Sequence, residues 1–173
     1  LANRQFCQDQ QASFRTYREG LWGISAALGP YGYKAYGAAP AAHLVHDGTV
    51  APYVVAASIP VVPDLALETL RRMEELKPSL WTRYGLGDGL NLDRRFMSPH
   101  TIALDQGLVL LMIENYRTGL VWDLFMRHSI AQRALQRAGF ESGGLAQPRR
   151  PAVVPGNPGA TMAIPMIDHA VTV

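Results

Sequence analysis

The clearest pattern in the chain is amphipathic. From Pro63 to Lys77, the apolar residues Leu65, Leu67, Leu70, Met73 and Leu76 recur at helical spacing between Glu68, Arg71, Arg72, Glu74 and Glu75. Pro63 and Asp64 at the start, and Pro78 beyond the end, are ordinary start and stop signals. The spacing predicts an outer helix with its charged side in water. A second pattern runs from Asp105 to Gly119. Its middle, Leu108 to Ile113, is apolar throughout, and a further apolar block follows at Leu120 to Met126. A helix that is apolar on every side is packed on every side. Its ends are polar: Asp105 and Gln106 before, and Glu114, Asn115, Tyr116 and Arg117 after. Two readings stand. It is the inner helix of a layered helical barrel, or a core helix whose Glu114 and Arg117 pair with each other.

Around these two helices the periodicity is weaker. Residues 5–19 allow a short helix with Phe6, Phe14 and Tyr17 on one side, and Val50 to Ile59 is an Ala/Val-rich run bounded by Pro60. Asp47, just before that run, is placed to act as an N-cap. Asp123 to Ala138 closes as a basic amphipathic run, with Gly139 as its stop. Trp122 and Phe125 read as core residues.

Two stretches break the helical pattern. Gly29–Gly37 carries Tyr31, Tyr33 and Tyr36 among three glycines, a density unsuited to a helix interior, where each glycine costs about 1 kcal/mol relative to alanine. Leu80–Asn91 is likewise punctuated by glycine and carries Trp81, Tyr84, Asp88 and Asn91. Each reads as an aromatic loop, folded on its own rings or offering them as flat platforms to a sugar. Loops at one end of a helical scaffold are where binding groups collect. From Glu141 the composition changes to Pro148, Pro151, Pro155, Pro158 and Pro165 with interspersed glycine, which predicts an extended tail over 141–173.

The bulk composition narrows the classes. The 173 residues are 48% apolar and only 17% charged, enough to build one core. The net charge of +2 is carried by scattered basic residues, with no basic stripe interleaved with aromatics, which disfavours nucleic acid. No stretch approaches the roughly 18 apolar residues of a membrane span. Cys7 is the single cysteine, so no internal disulfide or multi-cysteine metal site is available. The five histidines lack ligand spacing. No metal and no cofactor is expected. Without an initiator Met or a signal peptide at its start, the chain reads as a processed or truncated piece.

Seven segments then occur in a telling order: W-G-I-S-A (22–26), G-P-Y-G-Y-K-A-Y-G-A-A-P (29–40), D-G-T-V-A-P (47–52), P-D-L-A-L (63–67), W-T-R-Y-G-L-G-D-G-L-N (81–91), D-Q-G (105–107) and I-E-N-Y-R-T-G-L-V-W (113–122). Together they resemble the C-terminal half of the glucoamylase-like family that contains the bacterial endo-β-1,2-glucanases. The resemblance runs from about residue 17 to Phe140. It implies an all-α fold, with residues 1–140 forming part of an (α/α)6 barrel that has a glycan cleft at one end. It also implies inverting hydrolysis of a β-linked glucan, β-1,2 first among the linkages, without a metal or organic cofactor. That chemistry needs an acid and a carboxylate about 6.5–9.5 Å apart.

The same resemblance assigns sites residue by residue. Trp22, Tyr33, Tyr36, Trp81 and Tyr84 become sugar platforms. Asp88, Asn91, Asp105, Gln106, Asn115 and Arg117 bind hydroxyls or orient the cleft. Glu19 and Glu114 are the glutamates nearest the motifs and the candidates for acid or base. The family's main catalytic acids lie in its N-terminal half, in segments resembling S-E-x-S-x-x-D and Y-N-E, and neither segment is present here. Two local departures stand out: Leu28 where the family often has an acid, and Leu108 where it often has proline. The partners implied are a β-glucan or oligosaccharide, and an N-terminal half or second chain closing the open barrel. The compartment implied is periplasmic or extracellular. The competing class is a non-catalytic carbohydrate-binding or structural subunit reusing this half of the barrel.

Overall fold

The computed structural model describes residues 1–37 and 46–140. The expected tail, together with His43 and His169, lies outside them. Among the described residues there are seven helices and three short antiparallel ladders. The helices are α1 (Ala2–Asp9), α2 (Arg15–Arg18), α3 (Pro52–Ala57), α4 (Pro63–Leu76), α5 (Ala103–Thr118), α6 (Leu120–Met126) and α7 (Ser129–Arg137). The ladders pair β1 (Ala26–Gly29) with β2 (Gly32–Ala35), β3 (Trp81–Thr82) with β4 (Gly85–Leu86), and β5 (Leu90–Asn91) with β6 (Phe96–Met97).

The chain is therefore helix-rich but not purely helical. Both stretches read as aromatic loops fold back on themselves as hairpins. In the first, Leu28 faces Tyr33 and Gly29 faces Gly32 across the turn. Gly32 takes a positive φ of 96°, a conformation open to glycine at little cost. Gly29 is needed for space instead, because a Cβ there would fall on the Tyr36 hydroxyl.

The amphipathic helix α4 forms where the pattern placed it. Pro63 occupies its first turn with Asp64 beside it, and Ala66, Thr69 and Met73 line its buried side. Leu67 turns outward. The 5–19 segment breaks at Phe14, whose backbone is extended, giving α1 and α2 rather than one helix. The run from Asp123 splits as well. His128 is extended, and its side chain accepts from the N–H of Ile130, which starts α7.

The core joins Tyr17, Leu21, Trp22 and Ile24 to Val50, Ala51, Tyr53 and Val55, with Met73 from α4 and Leu80, Leu86 and Leu90 from the hairpin region. α5 packs against α3 along one side only, through Asp105, Val109, Ile113 and Tyr116. The expectation of packing all round α5 is not met within the described residues: Leu110 is 68% exposed. Trp122 and Phe125, expected in the core, are also uncovered, Phe125 at 61%. The reason is geometric. α6 and α7 follow α5 but bury only Ala131 between them, so Leu108, Leu110, Leu111, Leu124, Phe125 and Ile130 face outward. Contiguous apolar exposure of this kind is characteristic of interaction surfaces.

Candidate functional site

The hairpins are tied together by main-chain bonds that run through residues 80–100. Gly87 N–H donates to Leu80 O (2.9 Å), Asp88 N–H to His100 O (3.0 Å), and Ser98 N–H to Gly89 O (2.7 Å). β5 is bridged in turn to Val50, at the start of the α3 region. Gly89 sits so close to β1 that a Cβ would lie 2.1 Å from the Leu28 carbonyl oxygen. This is a position only glycine can fill, and it sets the first hairpin directly against the loop carrying Asp88.

At that contact lies a pair of acids. Asp88 is fully buried, and its Oδ2 accepts from Leu28 N–H at 2.6 Å. Asp105, in the first turn of α5, is 7% exposed. Asp88 Oδ1 and Asp105 Oδ2 are both buried and accept no hydrogen bond among the described residues. Burial, and after it the nearby charge of Asp88, push Asp105 up to about 6. Burial also raises Asp88, against the opposing pull of Leu28 N–H, Asp105 and His100.

Beside this pair stand Tyr53 of α3, whose hydroxyl donates to Ser25 Oγ at 2.7 Å, and Tyr36. Burial is the main cause of the raised pKa of both phenols. Behind Tyr36, Thr49 Oγ1 donates to Asp47 Oδ1 (2.6 Å), and Asn91 Nδ2 donates to Asp47 O and Thr49 Oγ1 (both 3.0 Å). The loop is held from α5 by Gln106. Its Oε1 accepts from Leu86 N–H and its Nε2 donates to Leu86 O, each at 3.1 Å. One side-chain amide thereby takes the place of a neighbouring strand. Gly85 has positive φ and no room for a Cβ, which would strike that amide.

The hairpins' outward rings form the exposed counterpart. Tyr33 lies on β2, Trp81 on β3 (52% exposed) and Tyr84 at the following turn (71% exposed). Arg83 stands over the Tyr84 ring, and Lys34 and Arg94 over that of Tyr31. Such ring faces offer apolar area to the C–H faces of a sugar while their polar edges stay wet.

The other expected site residues are placed differently. Trp22 is in the core, its indole N–H donating to Thr69 Oγ1 at 2.8 Å, which leaves its face no access to solvent. Tyr36 and Asn91 are buried, and Asn91 Oδ1 accepts from Arg94 N–H to shape a turn. Asn115 is buried, and its Oδ1 accepts from Trp122 N–H (2.9 Å), holding the start of α6. Arg117 is exposed on the far end of α5. Glu114 accepts from Thr118 Oγ1 at 2.6 Å, and no ion pair joins it to Arg117 among the described residues. Glu19 is bound in an ion pair with Arg72 on the outer side of α4. Among the described residues no three His, Cys, Asp or Glu side chains converge as metal ligands, and no helix is long and apolar enough to cross a membrane. The sequence reading named Asp88 and Asp105 among the cleft residues but did not foresee their burial, for which the only signals were an aspartate between glycines at 87 and 89 and an aspartate opening an apolar helix.

Comparison with known proteins shows what the chain is similar to. Residues 1–129 match the family model Glycoamylase, described as "Putative glucoamylase". An exo β-1,2-glucooligosaccharide sophorohydrolase (non-reducing end) from Parabacteroides distasonis is 38% identical over 136 residues, 78% of this chain and 18% of that protein. The crystal structure of a β-1,2-glucanase from Parabacteroides distasonis is 37% identical with a TM-score of 0.66, over 78% of this chain and 19% of that one. An endo-β-1,2-glucanase from Chitinophaga pinensis, solved with sophorotriose and glucose, is 26% identical with a TM-score of 0.65, over 78% of this chain and 32% of that one. The chain spans about a fifth of the two Parabacteroides proteins and a third of the Chitinophaga structure.

Proposed function

Because the chain belongs to this glucoamylase-like family, we propose that it forms part of an (α/α)6 catalytic barrel in a glycoside hydrolase that cleaves β-linked glucan, with β-1,2 the preferred linkage. The observation that carries the reading is the arrangement of the hairpins. Tyr33, Trp81 and Tyr84 project from ladders that are all anchored, through Gly89, Asp88 and Gln106, to one buried polar web. A rigid web behind exposed rings suits a subsite that must hold a sugar chain in register. The described helices supply only one side of a barrel. The outward apolar side of α5, α6 and α7 is where the remaining helical hairpins pack, from an N-terminal half or from another chain.

Catalysis in this reading is inverting, with one carboxyl acting as acid and another activating water. Glu19 and Glu114 are engaged by Arg72 and Thr118, so the principal acid belongs to the part of the barrel outside this chain. Trp81 and Tyr84 bind, and Asp88 and Gln106 keep the loop in place through Leu28 and Leu86. The test is to incubate the full-length protein with β-1,2-glucan and with β-1,3- and β-1,4-glucans, following products by chromatography and the first-formed anomer by NMR. Release of α-configured sugars from the β-1,2 polymer alone is the expected result. Turnover of another linkage only, or β-configured products, overturns it.

A second reading is favoured by one observation: neither glutamate of interest is free, and Asp88 is sealed from solvent. It makes the chain part of a binding subunit, which would retain β-1,2-glucan oligosaccharides without turnover.

A further inference from the structure

A two-stranded hairpin is at best marginally stable alone, and short strands make it weaker still. The β3–β4 hairpin has only two residue pairs, Trp81 with Leu86 and Thr82 with Gly85. Yet it carries the exposed rings of Trp81 and Tyr84. Its order comes from outside the ladder. On the β4 side, Gln106 holds the N–H and C=O of Leu86, directly across from Trp81. At the base, Gly87 N–H donates to Leu80 O. A third tie lies on the β3 side: Thr82 Oγ1 is 2.7 Å from Thr101 Oγ1, 19 residues further along the chain.

Thr82 also bonds within its own turn. Its Oγ1 accepts from Tyr84 N–H at 3.1 Å, the local bond a threonine makes to the main chain two residues on. A hydroxyl has one proton to donate and two lone pairs to accept with. Whichever threonine donates in the Thr82–Thr101 pair, Thr82 Oγ1 keeps a lone pair for Tyr84. The bonds therefore run in series from Thr101, just ahead of α5, to the main chain of Tyr84. The Tyr84 side chain is exposed, so its placement depends on that main chain and not on packing.

We propose that Thr101 is a positioning residue for the sugar-holding rim: its hydroxyl, acting through Thr82, fixes the turn that presents Tyr84 beside Trp81. The inference rests on the reading of Trp81 and Tyr84 as the rings that hold the saccharide. Thr101 and Gln106 stand on either side of Ile102 and Ala103, where α5 begins. Each takes one strand of the hairpin, so both rings are fastened to the entry of a single helix. Rings already set in place lose less freedom when a sugar chain settles on them, and affinity gains by that amount. Without the Thr101 hydroxyl both rings remain, but the one on the turn is no longer held in register with the other.

The tie is tested first without sugar, by trypsin acting on the native full-length protein. Arg83 is exposed in the turn that Thr82 spans, where a protease reads local opening. Thr101→Val keeps the shape and removes the hydroxyl, and should quicken cleavage after Arg83 about fivefold. Thr101→Ser should restore the wild-type rate. Cleavage after Arg95, in a turn held separately by Asp93 and Asn91, reports general loosening in the same digest. The second arm is calorimetric titration with a β-1,2-glucooligosaccharide, where Thr101→Val should raise the dissociation constant about fivefold and Thr101→Ser should restore it. Unchanged cleavage after Arg83, equal quickening at Arg83 and Arg95, or a serine variant that behaves like the valine one overturns the proposal. Unchanged affinity in Thr101→Val while Trp81→Ala weakens binding overturns the positioning role alone. Unchanged affinity in both removes the rings from the rim, and the positioning role falls with them.

Discussion

Trp22 donates its indole N–H to Thr69 Oγ1 at 2.8 Å, inside the core between the chain after α2 and the middle of α4. Thr69 in turn donates to Leu65 O within its own helix, so the hydroxyl is used in both directions. Replacing Thr69 with valine keeps the volume but strands a buried donor. A loss of about 1–3 kcal/mol is expected, read by chemical denaturation of the full-length protein. Trp22→Ala should cost more, about 3–5 kcal/mol. Neither change should alter the affinity of the folded fraction for glucan, because the ring is sealed away from the rim.

The exposed rings carry the opposite expectation. Trp81→Ala and Tyr84→Ala should each weaken oligosaccharide binding by about 1–3 kcal/mol, with stability changed by no more than about 0.5 kcal/mol. Calorimetric titration and thermal denaturation on the same preparations separate the two effects. Unchanged affinity in both variants would remove these rings from the rim.

Asp93 ties the β5–β6 turn to α2 across the sequence. Its carboxylate accepts from Arg15 N–H (2.7 Å), Thr16 N–H (3.0 Å) and Thr16 Oγ1 (2.8 Å). Burial alone would raise its pKa, but these donors outweigh it and hold the group below the usual carboxylate range. A depressed pKa contributes stability above pH 4 that is lost as pH falls through the folded value. Asp93→Asn should therefore cost about 1 kcal/mol at pH 7, after allowance for solvent at this exposed turn. The difference from wild type should shrink toward pH 3 in matched denaturation curves.

The uncovered helices give a test of the proposed barrel. If the remaining hairpins pack on α5 and α6, Leu110→Asp and Phe125→Asp each place a charge in an apolar interface. Destabilisation of the full-length protein by more than about 3 kcal/mol is then expected. Substitutions that leave its melting temperature unchanged would mean that this side faces water in the whole protein.

How far the chain could be read from its residues depended on whether the deciding force was local. α4 was legible because Pro63, Asp64 and the 3.6-residue spacing all act within one helix. The hairpins were hidden because ladders this short show no alternation, so the glycine and tyrosine content was visible while the pairing was not. Trp22 illustrates a different difficulty. A tryptophan beside a glycine has the same composition whether its ring faces a sugar or Thr69. The burial of Asp88 was beyond sequence reading altogether, since it arises from main-chain bonds such as Asp88 N–H to His100 O that join residues distant along the loop. The apolar middle of α5 was visible, but composition alone could not tell that its outer side stays exposed among the described residues.

Gln106 grips Leu86 by its peptide groups alone. A grip of that kind is indifferent to the identity of the residue it holds and demanding only about the glycine beside it. The neighbouring positions that bear Trp81 and Tyr84 are therefore free to change chemistry without loosening the frame. If these rings hold saccharide as proposed, single substitutions there would rewrite specificity while the frame that fixes them in space stays intact.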